Sequence, residues 1–313
     1  MLAFLFAGLV SSSGSPLAQA QHSPIIDVHL HAYSAADWRG AVPPNPATGI
    51  PPPASAAEHM RQTFAAMDRY NIVAAIVSGP LDAVEEWRIA APGRILASPL
   101  FGSPGADASG RPLPTLDRLR SLYRGGELAA MAEITAQYEG LSPSDLALEP
   151  YFALAEELDV PVGIHTGTSF PGTPYRGSPR FRVALGNPLL LEDLLVRHPK
   201  LRVFIMHGGE PWRRETLALM QMYEQVYMDV AVIDWIGGPG SRSRFHDFLR
   251  EMFAAGLGKR IMFGTDQMRW PDAIGMAIDF VDSAEFLSPE QKQDIFHDNA
   301  ARFLRRGSIE AKQ

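Results

Sequence analysis

The sequence predicts an α/β protein built as one closed (β/α)8 TIM barrel. Three observations carry that expectation. From residue 25 onward, eight short apolar runs alternate with longer amphipathic stretches, the rhythm of parallel βαβ units. The runs are evenly spaced, and no Gly-x-Gly-x-x-Gly follows the first of them, which favours a closed barrel over a doubly wound open sheet. The chain has 313 residues, 46% hydrophobic and 20% charged, a size that α/β barrels routinely reach as a single unit.

The first strand is expected over about 25–32, where Ile25-Ile26-Asp27-Val28-His29-Leu30-His31 opens on buried aliphatics. A loop with Pro43, Pro44, Pro46 and Pro51-Pro52-Pro53 follows, too proline-dense for a helix or central strand. Helix 54–70 leads to a strand over 72–78, helix 81–91 to a strand over 95–101, and a helix near 114–124 to a strand over 128–134. Helix 144–158, capped by Ser142 or Ser144, precedes the fifth strand at 161–165. After a long Gly/Pro-rich loop come helix 188–198, strand 201–206, helix 212–224, strand 226–232, helix 241–255 and strand 260–263. Helices near 271–283 and 289–305 close the chain. Loops 34–53 and 168–186 both follow strand C-terminal ends, so both are expected to border the barrel mouth.

Residues 1–20 stand apart. Leu2–Val10 is apolar, a Ser/Gly-rich patch follows, and Ala18-Gln19-Ala20 has the form of a cleavage site. This is the pattern of a secretory signal, though no Lys or Arg precedes the apolar run; either a start further upstream supplies one or the terminal amine suffices. The run is too short to span a bilayer. The barrel is then residues 21–313, secreted or periplasmic. The formal net charge is −7 with no Lys/Arg-rich run, which speaks against nucleic acid and for a small-molecule substrate. There is no cysteine. Disulfides, a thiol nucleophile and thiolate ligands are excluded, and any metal site must use His, Asp and Glu.

Barrel enzymes keep their chemistry at strand C-terminal ends. Residues two apart on a strand face one side, so Asp27, His29 and His31 are expected to share a face, the two imidazoles making half of a metal site. Glu133 ends the fourth strand, His165 the fifth, His207 the sixth and Asp266 the eighth, each at the end of an apolar run. Ionisable groups converging on one buried mouth require mutual pairing or a metal. Imidazole and carboxylate suit Zn²⁺, Mn²⁺ or Fe²⁺.

Asp27-Val28-His29-Leu30-His31, Ile164-His165-Thr166-Gly167, Met206-His207-Gly208-Gly209, Gly264-Thr265-Asp266 and the closing Asp298-Asn299-Ala300-Ala301-Arg302-Phe303-Leu304 recur in order over residues 25–305. Together they resemble the motifs of the amidohydrolase superfamily, in its amidohydrolase-related branch. The resemblance implies one or two divalent ions, zinc first, held by His29, His31, His165 and Asp266. Glu133 matches a bridging or extra carboxylate ligand, and His207 either a ligand of a second ion or a neighbour of the attacking water. No Lys ends the fourth strand, so the carbamylated-lysine bridge of other branches is not available. Asp266 would take the water's proton and return it to the leaving group, and His207 would polarise the substrate carbonyl or orient the hydroxide. Hydrolysis of an amide, lactone or ester is the expectation. Non-oxidative decarboxylation of an aromatic or unsaturated acid is the alternative, which carboxylate-binding arginines at the mouth would favour.

Other residues have plainer readings. Asp27 either orients a histidine or is a structural acid. His59, His198, His246 and His297 are expected at the surface or at helix ends. Trp38, Trp212, Trp235 and Trp270 either line an apolar pocket or pack in core and loops. Arg176, Arg180 and Arg182 form a solvated basic loop rather than a substrate clamp. Gly208-Gly209 would allow close backbone approach and Gly264 close packing.

Overall fold

A computed structural model describes residues 22–38, 42–237 and 240–306; the expected signal segment 1–20 lies outside them. Strands β1 (Ile25–His31), β2 (Ile72–Gly79) and β3 (Ile95–Pro99) pair in parallel in that order. A second run joins β4 (Phe101–Ser103), with its antiparallel partner β5 (Ala106–Asp107), to β6 (Met131–Ile134), β7 (Val162–Ile164), β8 (Val203–Ile205), β9 (Val226–Asp229) and β10 (Ile261–Met262). The expected strand 95–101 is broken into β3 and β4, because Pro99 has no N–H with which to continue the ladder. Counting β3 and β4 as one stave gives the eight of a barrel.

Both gaps between the two runs are closed by hydrogen bonds. Ala129 N donates to Ala97 O at 2.8 Å and Ala132 N to Ser98 Oγ at 2.6 Å, joining β3 to β6. Val28 N donates to Phe263 O at 3.0 Å and Asp266 N to His29 O at 2.7 Å, joining β1 to β10. The barrel is therefore closed as expected.

Helices α1 (Ala56–Arg69), α2 (Leu81–Ala90), α3 (Leu116–Gly125), α4 (Glu149–Leu158), α5 (Glu192–Arg197), α6 (Arg213–Met222), α7 (Ser241–Ala254) and α8 (Ala273–Asp282) alternate with the strands. Ser55 and Thr115 cap α1 and α3 by accepting from the third residue on. The cap expected of Ser142 or Ser144 is absent. α4 begins only at Glu149, with Pro150 in its first turn, after a 3₁₀ turn over Leu146–Leu148 that Asp145 caps. Ser144 Oγ donates instead to Leu190 O.

The core has two layers. Between strands and helices lie Leu30, Val77, Ile134, Ile164 and Ile205. Inside the barrel lie Ile26, Val28, Ile76, Ala132, Phe204, Met206 and Met262. The expected last helix comes in three pieces, α9 (Pro289–Gln293), a π turn over Asp294–Asp298 and α10 (Asn299–Phe303). α10 sends Ala300 and Phe303 into the inner layer, filling the barrel's lower end. The open mouth is left at the strand C-terminal ends. No helix among the described residues is long and apolar enough to cross a membrane.

Candidate metal centre

His29, His31, Glu133, His165, His207 and Asp266 meet at that mouth, all buried. Two bulges aim them. From Asp27 to Leu30, β1 spends three steps against two of β2. A bulge of this kind turns consecutive residues the same way: Val28 enters the inner core and His29, next to it, enters the centre. The expectation that Asp27 shares a face with His29 and His31 therefore fails. Asp27 lies on the opposite parity, and its carboxylate accepts from His29 N and Thr265 N, each at 3.0 Å, and from Thr265 Oγ1. It clamps the β1–β10 seam and holds no imidazole ring. Burial pushes its pKa up to about 7 against those hydrogen bonds. β6 repeats the device between Met131 and Ile134, so that Ala132 and Glu133 both face inward.

His165 follows β7 by simple alternation. His207 reaches the centre through left-handed backbone, φ +61°, held by His207 N donating to Asp229 Oδ1 at 2.7 Å. Val232, Asp266 and Met268, which also line the mouth, share this conformation. Four of the seven described non-glycine residues with positive φ thus stand at one cavity, where strain of this kind commonly marks function.

The ring hydrogen bonds fix which nitrogen faces inward. His29 Nδ1 donates to Asp229 Oδ2 at 2.9 Å, leaving Nε2 buried without a hydrogen-bond partner among the described residues. His207 Nδ1 donates to Ala231 O at 3.2 Å; a carbonyl only accepts, so neutral His207 carries its lone pair on Nε2. Nε2 of His31 also faces inward, with Nδ1 3.0 Å from Ser78 Oγ. Glu133 is central. Its Oε2 lies 3.7 Å from His29 Nε2 and 3.6 Å from His31 Nε2, and its Oε1 lies 3.5 Å from His207 Nε2 and bonds His165 Nδ1. Asp266 Oδ1 is 3.0 Å from His31 Nε2, though not aligned as a hydrogen bond, and 3.9 Å from His29 Nε2.

These side chains suit a divalent cation. Ligand atoms about 2.1 Å from a tetrahedral ion lie about 3.4 Å from one another, close to the 3.5–3.7 Å separations around Glu133. His29 Nε2 and Asp266 Oδ1, 3.9 Å apart, are buried with no hydrogen-bond partner among the described residues, a costly state unless a cation takes them. Burial alone would raise the Glu133 and Asp266 carboxyls; instead the facing histidines hold both below the usual carboxylate range. The same carboxylates raise His29 and His207 against their burial. The acids at this mouth thus demand positive charge.

Asp229 was missed in the sequence, although it interrupts the apolar run Val226-Tyr227-Met228-Asp229-Val230 just as Glu133 interrupts its own. It orients His29 and ties down the backbone of His207 and Ala231.

A cavity of about 420 Å³ opens above the centre. Its wall is mostly apolar, with Tyr138, Phe170, Pro211, Val232, Ile236 and Met268, and among the described lining residues there is no Lys or Arg. Loop 168–186 borders it through Thr168, Ser169 and Phe170. Loop 34–53 does not line it among the described residues; it is pinned outward by Trp270 Nε1 on Pro43 O and by Asn45 on Asp272. Arg176, Arg180 and Arg182 stay off the cavity wall: Arg180 pairs with Glu139, and Arg182 donates to the carbonyls of Pro179 and Phe181. None of the four tryptophans lines it; Trp235 and Trp270 are buried. His198 ends α5, as expected, and is buried there; His59 is neither at the surface nor at a helix end but buried within α1. His198 is held between Glu149 and Glu156, and His59 sits among Tyr33, Trp38 and Trp87. Gly208 and Gly209 serve packing, since a Cβ would meet Phe248 at 2.6 Å and Thr216 at 2.2 Å.

A family model described as Amidohydrolase matches residues 26–306. No curated protein sequence matches at a significant level. Among solved structures, an uncharacterized TIM-barrel protein from Bordetella bronchiseptica is 18% identical with TM-score 0.64, over 90% of this chain and 99% of that one. A probable 2-pyrone-4,6-dicarboxylic acid hydrolase from Acinetobacter baumannii is 15% identical with TM-score 0.63, over 90% and 99%. A 5-carboxyvanillate decarboxylase from Novosphingobium aromaticivorans, solved with bound manganese, is 14% identical with TM-score 0.62, over 92% and 98%. These likenesses show the fold.

Proposed function

The chain belongs to the amidohydrolase family, and from that membership and the geometry of its mouth we propose that it is a metal-dependent hydrolase of a small, largely uncharged amide, lactone or ester. His29, His31, His165 and Asp266 would hold a divalent ion, with Glu133 reaching it from between them. Where a second ion binds, the Glu133, His165 and His207 group is its place. When bound, the ion supplies Lewis acidity and an acidified water near neutral pH. Zinc is the first metal to test and manganese, which the similar decarboxylase holds, the second.

The protein's own groups divide the rest of the work. Asp266, kept ionised by the neighbouring histidines, accepts the proton that water loses as it attacks the acyl carbon, and passes it to the departing oxygen or nitrogen. His207, whose protonation Glu133 favours, donates from Nε2 to the carbonyl oxygen as charge develops there. The apolar wall orients the substrate and excludes bulk water.

The observation that carries hydrolysis over decarboxylation is the cavity wall. Outside the centre its one Asp, Glu, Lys or Arg among the described lining residues is Glu210, itself paired with Arg213 at 2.7 Å. A substrate carboxylate held for decarboxylation would meet no guanidinium or ammonium among those residues. The test is full-length protein loaded with zinc or manganese, assayed against a panel of lactones, esters, amides and hydroxybenzoic acids. Acid release from the neutral substrates is expected, abolished by chelation and restored by metal. Release of CO₂ from an aromatic acid, with the neutral substrates untouched, would replace this reading by decarboxylation. Export, read from residues 1–20, predicts a mature N-terminus at Gln21 by mass spectrometry.

A further inference from the structure

A second cavity, of about 240 Å³, lies beside the mouth, and Glu210, Ile233 and Ile236 line both. It runs past Gly237 to the start of α7, where Ser241, Phe245 and Phe248 line it. Its inner end is close to the chemistry. A Cβ on Gly208, the residue after His207, would stand 2.6 Å from Phe248 Cζ and 3.1 Å from Ile233 Cδ1, so both side chains rest on the turn that carries His207.

The charges around this second cavity are spent locally. Glu210 accepts from Arg213 Nε at 2.7 Å, and the Arg213 guanidinium lies 5.3 Å from the Phe248 ring centroid. Arg244 Nη2 donates to Gly237 O at 2.8 Å on the outer side. The segment between the cavities has its polarity inverted. Asp234 is fully buried, and neither of its carboxyl oxygens has a hydrogen-bond partner among the described residues. Trp235 is buried beside it, with Nε1 donating to Thr265 O at 2.7 Å. Ile233 and Ile236, on either side of them in the chain, are left only partly buried. Burying an unpaired carboxyl while leaving isoleucines in water is unfavourable twice over. Such a break in local rules marks functional surface, and a ligand that covers the two isoleucines recovers part of the cost.

We propose that the two cavities form one substrate groove. The substrate carries a neutral, unbranched apolar arm that leaves the scissile group at the metal centre, crosses Ile233 and Ile236, and ends beside Phe245 and Phe248. Ile236 and Ser241 then set substrate length. This rests on the reading of the mouth as the place where the reacting acyl group binds, and it names the class of substrate that the hydrolase would take.

The experiment is isothermal titration of the full-length, metal-loaded protein with unbranched methyl ketones from butanone to nonanone, which carry the carbonyl and the arm but no bond to hydrolyse. Affinity is expected to rise about fourfold per added methylene while the arm is being buried. Ser241→Trp fills the far cavity without lining the mouth, and should cut the nonanone-to-butanone affinity ratio by about tenfold or more, the worth of two buried methylenes. Ile236→Ser, which takes apolar surface from the ridge, should cut the same ratio several-fold. Unchanged circular dichroism and melting show that each fold is kept, and either variant alone suffices as the test. A length dependence that persists in protein hydrolysing none of the ester panel supports the groove and strikes only the proposed reaction. The proposal is overturned by failure of all the ketones to bind, by a parent ratio that neither variant lowers, or by a gain with length seen only when the arm ends in a carboxylate, which would make Arg244 its anchor.

Discussion

Asp229→Asn tests the centre at a residue that would not touch the ion. The substitution exchanges one oxygen for an amide nitrogen. Oδ1 of Asp229 accepts from His207 N at 2.7 Å and Ala231 N at 3.1 Å, and Oδ2 accepts from His29 Nδ1 at 2.9 Å. In the variant the amide oxygen must stay with the two backbone N–H groups, since the NH₂ has only donors to offer them. The NH₂ then faces His29 Nδ1. It can bond there only as donor, which forces the imidazole proton onto Nε2, the nitrogen turned toward Glu133 and Asp266. The lone pair needed for a metal is lost. Replacing the residue that orients a ligand histidine typically costs about 10–100-fold in metal affinity, or about 1.4–2.7 kcal/mol. Two of the three hydrogen bonds survive, so folding stability should change by about 1 kcal/mol or less. Zinc affinity by competition with a chromophoric chelator, run beside urea unfolding, separates the two effects. Asp229→Asn protein that binds zinc as tightly as the parent, or whose loss of affinity is matched by an equal loss of stability in the metal-free form, would refute the tautomer argument.

Three other outcomes are expected. Glu133→Gln removes the carboxylate that lies within 3.7 Å of both His29 Nε2 and His31 Nε2. Metal affinity should fall about 10–100-fold, the worth of a charged hydrogen-bonding group; unchanged content by elemental analysis would leave Glu133 a structural role only. In Gly264→Ala, the new Cβ would stand 3.0 Å from His29 Cβ and 3.3 Å from Asp229 Cβ. A cost of about 1–3 kcal/mol from overpacking, with weakened metal binding, is expected in urea unfolding and chelator competition, and a variant equal to the parent in both would show that the site yields. His59 is buried with neither ring nitrogen hydrogen-bonded among the described residues, and burial pushes its pKa down to about 3. The unfolded chain then binds the extra proton between about pH 6.5 and 3, so the parent loses about 1.4 kcal/mol of stability per pH unit on acidification through that window. His59→Phe abolishes this contribution. Its stability advantage should grow by about 2 kcal/mol between pH 7 and pH 5 in urea unfolding, and an advantage that does not change with pH would mean that His59 is protonated in the fold.

The barrel was legible because each stave repeats one pattern. The strand ends were legible because an ionisable residue closing an apolar run is too costly to bury without a partner or an ion. The facing of side chains was not, and β1 shows why. Strict alternation puts Asp27 with His29 and His31. The bulge that separates them is a property of the pairing with β2, where Ala75 and Val77 set the register, and no residue of β1 announces it. β6 conceals the same shift behind Met131-Ala132-Glu133-Ile134. Helix α1 misleads in the other direction. Its buried stripe, Ala56, His59, Thr63 and Met67, carries two polar residues, so a polarity reading turns His59 outward, where its aromatic neighbours hold it inside. Asp229 is the opposite case, an acid in an apolar run whose signal equalled that of Glu133. What separates the two is position rather than residue type. Glu133 stands where four imidazole rings can reach it, whereas Asp229 spends its oxygens on one ring and two backbone amides. A centre of this kind therefore has to be read in two layers, the groups that would meet the ion and the groups that decide which lone pair meets it, and only the first layer follows from strand ends alone.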